Sequence, residues 1–320
     1  MKIDILRDCD FEVCASAASM SYGKDLTTFT KDEKAAYVRK IWDKHYNVSE
    51  HMVKTLVFTK MPRFISMMIG AQGNGITITE FSQRRRKVVD SFVFNKLTEL
   101  NDETAALFAE YNKLIDSGVK LEEARAVLPV TAFTDLQVTL NREHARDIAM
   151  RDFAQREASK SVPWLLEMLE TEKLAETLMD VFEFDTNVAN GPGLPIRKQE
   201  PYMSAPAICS FDQTYSGKFG EVDDGYDVEV IGKCRQYMQF AMSMPVYSFM
   251  QFQRHRTSRI FVICVKRALK DDKISHTLMR NGDTLYCIAE SLDWDNFFNL
   301  RTHSATQEPL RSIAHKMKNI

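Results

Sequence analysis

The stretch QFQRHRTSRIF, Gln251 to Phe261, decides how the rest of the chain is read. It gathers Arg254, His255, Arg256 and Arg259, yet lies between two apolar runs, Met242 to Met250 and Ile260 to Val265. A charge run that is merely solvated does not usually interrupt such packing. Guanidinium groups at the end of an apolar element suit two-pronged binding of phosphate, and a histidine between them adds a titratable donor. The competing reading is a helix whose surface arginines meet acidic neighbours, and composition weighs the two about equally.

The 320 residues suffice for one large domain or two ordinary ones. A content of 44% hydrophobic and 27% charged residues is that of a soluble globular protein. The net charge of −2 gives no whole-chain basic field for nucleic acid, so any anion site is local. Six cysteines are scattered with no C-x-x-C pair, which argues against a metal site or a disulfide framework and for reduced thiols in apolar surroundings. The start of the chain carries acidic residues where a signal peptide needs an apolar run, and no apolar stretch reaches membrane-spanning length. These features predict a cytoplasmic protein, or for a viral one residence in the host cytoplasm, with no membrane or stable nucleic-acid partner.

In chain order, Met1 to Leu6 alternates like a strand, and Ser21 to Asp25 reads as a turn. Lys31 to Tyr46 is an amphipathic helix, residues 47–51 break it, and Leu56 to Thr59 is a strand. An apolar helix, Pro62 to Ile69, runs into the Gly-rich 70–75, which makes no dinucleotide fingerprint. Thr79 to Arg86 packs a carboxylate, a hydroxyl and three guanidiniums into a turn or pocket edge. Residues 102–118 are a helix stopped by Gly118, and 121–129 a shorter one ended by Pro129, with Arg125 among apolar neighbours. From about 133 to 182 the pattern reads as continuous helix, with a core stripe at Trp164, Leu165, Met168 and Leu169. Two Gly and two Pro in 190–195 mark a linker, and Leu292 to Met317 reads as a closing helix pair.

The closing run WDNFFNLRTHSATQEPLRSIA, Trp294 to Ala314, strongly resembles the C-terminal signature of flavin-dependent thymidylate synthases. Gln251 to Arg256 likewise resembles that family's Q-x-x-R-H-R. The family follows R-H-R with N-E-x-S-x-R, but here Val262, Cys264 and Lys266 stand at the glutamate, serine and arginine places. The missing half lies earlier, where Thr79 to Arg84, TEFSQR, resembles N-E-x-S-x-R and the stretch 70–75 replaces R-H-R. Ser21 to Asp25 resembles the family's early serine turn, Val48 to His51 its T-P-x-E-H, and Ser117 to Pro129 its S-G-V-x-x-E-x-A-R-x-x-L-P. Its N-L-R…A-Q-x-E-x-R segment survives late in the chain as Asn299, Arg301 and Gln307, whereas Met150 to Gln155 is a weak match.

These complementary losses imply an α+β, helix-rich fold in two tandem copies forming a pseudo-dimer. Residues 1–185 make the first copy, 186–200 the linker and 201–320 an abbreviated second copy. In the family, active sites lie between subunits and take the two motif halves from different protomers, so each copy could discard the half it no longer uses. The resemblance implies methylation of dUMP to dTMP, with FAD as cofactor and NADPH and methylenetetrahydrofolate as co-substrates. Gln251, Arg254, Glu80, Ser82, Arg84 and Arg125 would bind the nucleotide, with Arg254, Ser82 and Arg125 catalytic. Flavin would rest on His255, Arg256, Asn299, Arg301, Ser21, Ser49 and Glu50. The pyrimidine deoxynucleotide partner and a homodimer of the fused chain follow in the same way. Two alternatives stand: hydroxymethylation of dUMP or dCMP by the same chemistry, and a non-catalytic nucleotide-binding paralogue. Interior packing of Glu80 and Arg254 would favour the paralogue, and their convergence on one cleft the enzyme.

Overall fold

Alternating burial builds the first sheet of the computed structural model, which describes residues 1–42, 45–72, 75–184, 227–234, 237–252, 258–266 and 278–291. In β2 (Val53–Pro62) Leu56 and Phe58 point into the core, and in β4 (Phe133–Asn141) Leu136, Val138 and Leu140 do the same. On the opposite face the Thr55 and Thr139 hydroxyls meet at 2.9 Å. The strands run antiparallel, with Leu56 opposite Val138 and Phe58 opposite Leu136. β1 (Lys2–Arg7) takes one edge and β3 (Thr77–Glu80) the other, giving the order β1-β2-β4-β3.

A register shift between Phe58 and Met61, where Lys60 takes a φ of 53°, bends the end of β2 so that Met61 and Pro62 both enter the core. Pro62 then caps α4 (Arg63–Gly70), whose residues Arg63 to Ile69 are all buried. Between β1 and β2 lie three helices, α1 (Phe11–Tyr22), α2 (Lys31–Ile41) and α3 (Tyr46–Ser49). They share a separate core of Cys14, Ala18, Val38, Trp42 and Val48. Between β3 and β4 come α5 (Glu99–Asp116) and α6 (Leu121–Ala124), the latter running into a 3-10 turn at Arg125–Val127. α7 (Arg142–Ala158), α8 (Pro163–Glu172) and α9 (Leu174–Phe182) follow β4.

Most expected elements are present, with Gly118 stopping α5 at a φ of 91° and the Trp164 stripe in the core. The continuous helix expected over 133–182 is not: β4 occupies its first nine residues. Thr134, Leu136, Val138 and Leu140 are buried at every second place, a strand period that the strongly helical sequence after Asn141 masks. The turn expected at Ser21 to Asp25 is in part the last turn of α1, capped by Gly23 at a φ of 60°. The helix expected over Lys31 to Tyr46 ends at Ile41, and the short α3, from Tyr46 to Ser49, runs into the break expected at 47–51.

In the second half, β5 (Asp227–Cys234), β6 (Tyr237–Pro245), β7 (Ser258–Lys266) and β8 (Thr284–Ser291) form an antiparallel sheet of order β5-β6-β8-β7. α10 (Val246–Phe252) leaves β6 directly after Met244 and Pro245, as α4 leaves β2 after Met61 and Pro62. The halves meet along backbone. Val130 N donates to Met279 O and Asn281 N to Leu128 O, each at 2.8 Å, about a bridge between Pro129 and Arg280. The expected linker at 186–200, the Arg254, His255 and Arg256 cluster and the closing helices lie outside the described residues. No helix among the described residues is long and apolar enough to cross a membrane.

The weakly matching segment 150–155 serves packing. Asp152 is fully buried in α7, accepting from Arg156 and from Ala175 N at 3.1 Å, and so ties α7 to α9. Burial pushes its carboxyl up to about 6 against the pull of Arg156. Arg156 is nevertheless held cationic, because Glu176 grips it at 2.6 and 2.7 Å. The folded state thus holds the Asp152 proton more tightly than the unfolded chain. This group costs nothing below pH about 4, and its cost grows as pH rises to about 6. Asp152→Asn is therefore expected to flatten the fall in Tm between pH 4 and 6, read by thermal melts across that range.

Candidate functional site

The charged residues of the first half converge where α4, β3 and the 3-10 turn meet. α4 opens with Arg63, which would be solvated were Phe64, Met67 and Met68 not drawing the helix into the core. Its guanidinium is buried against Glu80, the last residue of β3, and the Ser66 hydroxyl lies 2.7 Å from the same carboxylate oxygen. Glu80 is thus held by two groups of α4 and is itself buried. Beyond β3 the chain turns at Ser82, whose carbonyl accepts from Arg85 and Arg86 N at 3.0 Å. Ser82 and Arg84 are exposed and Gln83 points inward. Arg84 reaches Glu122 on α6 at 2.6 Å.

Arg125 is the residue left over. It is 3% exposed, its Nε donates to Glu122 O at 3.0 Å, and its guanidinium lies 5.2 Å from the centre of the Tyr247 ring. Its Nη2 is buried with no hydrogen-bond partner, and among the described residues no carboxylate pairs with it. Loss of water and then the neighbouring Arg63 and Arg84 charges push Arg125 down to about 10, against the pull of Glu122 and Tyr247, so it stays cationic at neutral pH. Two carboxylates face three guanidiniums here, and each carboxylate is taken by an arginine other than Arg125. A buried cation with an unused donor is a place for an anion.

The second half reaches the same place. Asn281 is buried and donates through Nδ2 to Arg125 O at 3.1 Å and toward Gln83 Oε1 at 3.4 Å. Asn281 Oδ1 and Gln83 Nε2 have no partner. Of the expected nucleotide residues, the structure therefore gathers Glu80, Arg84 and Arg125 around one place and leaves Ser82 at the surface. Gln251 lies in α10, and Arg254 lies outside the described residues. Arg63, Ser66, Gln83, Tyr247 and Asn281 escaped sequence reasoning. Only Gln83 carried a signal there, as the variable position inside E-x-S-x-R.

The expected flavin residues lie elsewhere. Ser49 is buried and donates to Glu143 Oε1 at 2.6 Å. Burial raises the Glu143 carboxyl, while the Ser49 bond and then Arg146 and Arg142 pull it down. Along the same end of α7, Gln72 Nε2 donates to Asp147 at 3.3 Å, and Gly75 touches the His144 ring so closely that a Cβ would lie 2.1 Å from His144 Cε1. His144 Nδ1 and Gln72 Oε1 are buried without a partner. Ser21 and Glu50 are exposed. Tyr22, beside Ser21, meets the His45 ring edge-on at 4.7 Å. His255, Arg256, Asn299 and Arg301 lie outside the described residues.

Two of the free thiols are neighbours in the core shared by α1, α2 and α3. Cys9 and Cys14 lie 3.8 Å apart. Cys14 is buried and its thiol is raised, whereas half-buried Cys9 is lowered, first by the bond from Cys14 and then by Lys54. Among the described residues no group of three or more His, Cys, Asp or Glu could hold a metal.

The family of thymidylate synthase complementing proteins matches residues 6–171, just over half of the chain. No curated protein matches. Among solved structures, a flavin-dependent thymidylate synthase from Helicobacter pylori, complexed with FAD and dUMP, is 13% identical with a TM-score of 0.44, covering 57% of this chain and 98% of its own. A UMP/dUMP methylase, PolB, from Streptomyces cacaoi bound with 5-Br dUMP is 19% identical with a TM-score of 0.40, covering 56% and 90%.

Because Arg125 is a buried cation without a carboxylate, Arg125→Met is expected to leave stability unchanged or raise it by about 1–2 kcal/mol. Inorganic phosphate is expected to raise the Tm of the unaltered protein and not that of Arg125→Met, read by scanning calorimetry.

Proposed function

The chain belongs to the thymidylate synthase complementing protein family, a family of enzymes, and on that premise we propose that it methylates dUMP to dTMP. The observation that carries the substrate is Arg125, a buried guanidinium with an unused Nη2 beside Arg84 and Arg63. It gives a monoanionic or dianionic phosphate its strongest partner, with the Arg84 and Arg63 charges adding to the local field. Gln83 and Asn281 offer the pyrimidine nucleotide a free amide donor and a free carbonyl acceptor beside that phosphate. Gln251 of α10, and Arg254 from outside the described residues, would join them from the second copy.

FAD fits the residues present at the start of α7. Buried Arg146 and the unfilled His144 Nδ1 supply groups that a phosphate-bearing cofactor can use, while the unfilled Gln72 Oε1 is an acceptor for its hydroxyl or N–H groups. Ser21 and Glu50, with His255, Arg256, Asn299 and Arg301, would complete that set. FAD reduced by NADPH would supply hydride and methylenetetrahydrofolate the carbon, while the protein orients dUMP and keeps water from it.

The tandem reading, residues 1–185 and 201–320 as two copies, is supported by three features. The two sheets share one strand order, a helix follows Met-Pro in each, and the halves meet through reciprocal backbone bonds. Reciprocal contact of this sort is what two related units make about a two-fold axis. A homodimer of the fused chain in the cytoplasm completes the proposal.

One observation favours the second reading, a nucleotide-binding paralogue without turnover: Glu80 is consumed by Arg63 and Ser66 in the interior. The visible absorption spectrum of the full chain, recorded before and after dUMP, separates the two. A flavin spectrum shifted by dUMP, followed by a methylated product on mass analysis, is expected of the synthase. A hydroxymethyl product would replace the reaction proposed. A protein that takes up no FAD yet binds dUMP would be the paralogue.

A further inference from the structure

Hydrogen bonds put the two halves in one register. At the start of α4, Arg63 N donates to Ala132 O at 3.0 Å and Phe64 N to Val130 O at 2.9 Å. At the start of α10, Val246 N donates to Asp283 O and Tyr247 N to Asn281 O, both at 3.0 Å. Val246 thus stands where Arg63 stands, Tyr247 where Phe64 stands, and Asn281 where Val130 stands. The strands agree. Pro62 pairs with Phe133 and Pro245 with Thr284; three residues on, Leu136 pairs with Glu80 and Cys287 with Val262. Val262 therefore occupies the register place of Glu80.

The polar site is made by Arg63 and Glu80 from the first half with Tyr247 and Asn281 from the second. Its mirror place would be made by Val246 and Val262 from the second half with Phe64 and Val130 from the first. Every one of those four is apolar, and Val246, Phe64 and Val130 are fully buried. Ion pair and polar partner have been lost together on one side and kept together on the other.

We propose that each chain has one nucleotide site rather than two, and that Tyr247 and Asn281 are its positioning residues, holding Arg125 from across the contact between the halves. The proposal rests on the nucleotide reading above. Tyr247 lies along the Arg125 guanidinium, and Asn281 holds the Arg125 carbonyl, so both set where Nη2 points. Position is their contribution; charge is that of Arg125.

Titration calorimetry of the full chain with dUMP tests this. A stoichiometry of one per chain is expected, two per chain would overturn the inference alone, and no binding would overturn the nucleotide reading and this with it. Asn281→Asp replaces the amide that holds the Arg125 carbonyl by a carboxylate, whose negative charge works against a ligand anion. Affinity is expected to fall by at least about tenfold, with a lower Tm from loss of the Nδ2 bond to Arg125 O. Undiminished affinity in that variant would remove Asn281 from the site. Tyr247→Ala should weaken dUMP binding and Tyr247→Phe restore it, since the ring is what the guanidinium meets. Equal binding by the two would remove Tyr247, and the pair remains decisive if Asn281→Asp does not fold.

Discussion

The backbone contact between Leu128–Val130 and Met279–Asn281 is the constraint on which the site depends. Both hydrogen bonds belong to residues flanking Pro129 and Arg280, so the central pair exchanges none. Proline, which has no N–H to give, is tolerated at the middle of this short ladder for that reason. Arg125 lies just before this segment and Asn281 within it. The ladder that joins the halves thereby fixes the distance between the cation and the amide that holds its carbonyl.

Charge in this region is arranged by what each arginine is denied. Among the described residues, Arg63 has Glu80, Arg84 has Glu122, and Arg125 has a carbonyl and an aromatic face but no carboxylate. A third carboxylate would make the cluster neutral and close it to an anion. Leaving it out costs folding energy, since like charges and lost water both push Arg125 down. A bound phosphate would offset that cost, which is the usual bargain struck between stability and binding at a functional site.

Much of the architecture was legible in the sequence because it rests on local pattern. The β-branched and aromatic residues of Leu56 to Thr59, the periodicity of α5 and the Gly118 stop are all short-range signals. The place of Val262 opposite the lost glutamate was legible too, and the β7–β8 register agrees with it. What could not be read depends on distance along the chain. Arg63 sits in the apolar run RFISMMIG and finds its partner 17 residues away only once α4 and β3 pack. Asn281 meets Arg125 across 156 residues, and nothing around Met279 to Asp283 marks it as polar lining. β4 was misread because a helix follows it without a breaker: Asn141 ends the strand and caps α7 at once, its side chain accepting from His144 N.

Carrying both sides of the ladder on one polypeptide changes how the site responds to dilution. Where such a contact joins separate subunits, it comes apart when the protein is scarce, and any pocket across it goes with it. Here the two strands are held at an effective concentration set by the chain between them. The contact between Arg125 and Asn281 therefore holds at any protein concentration, even where a further pairing of whole chains would not survive.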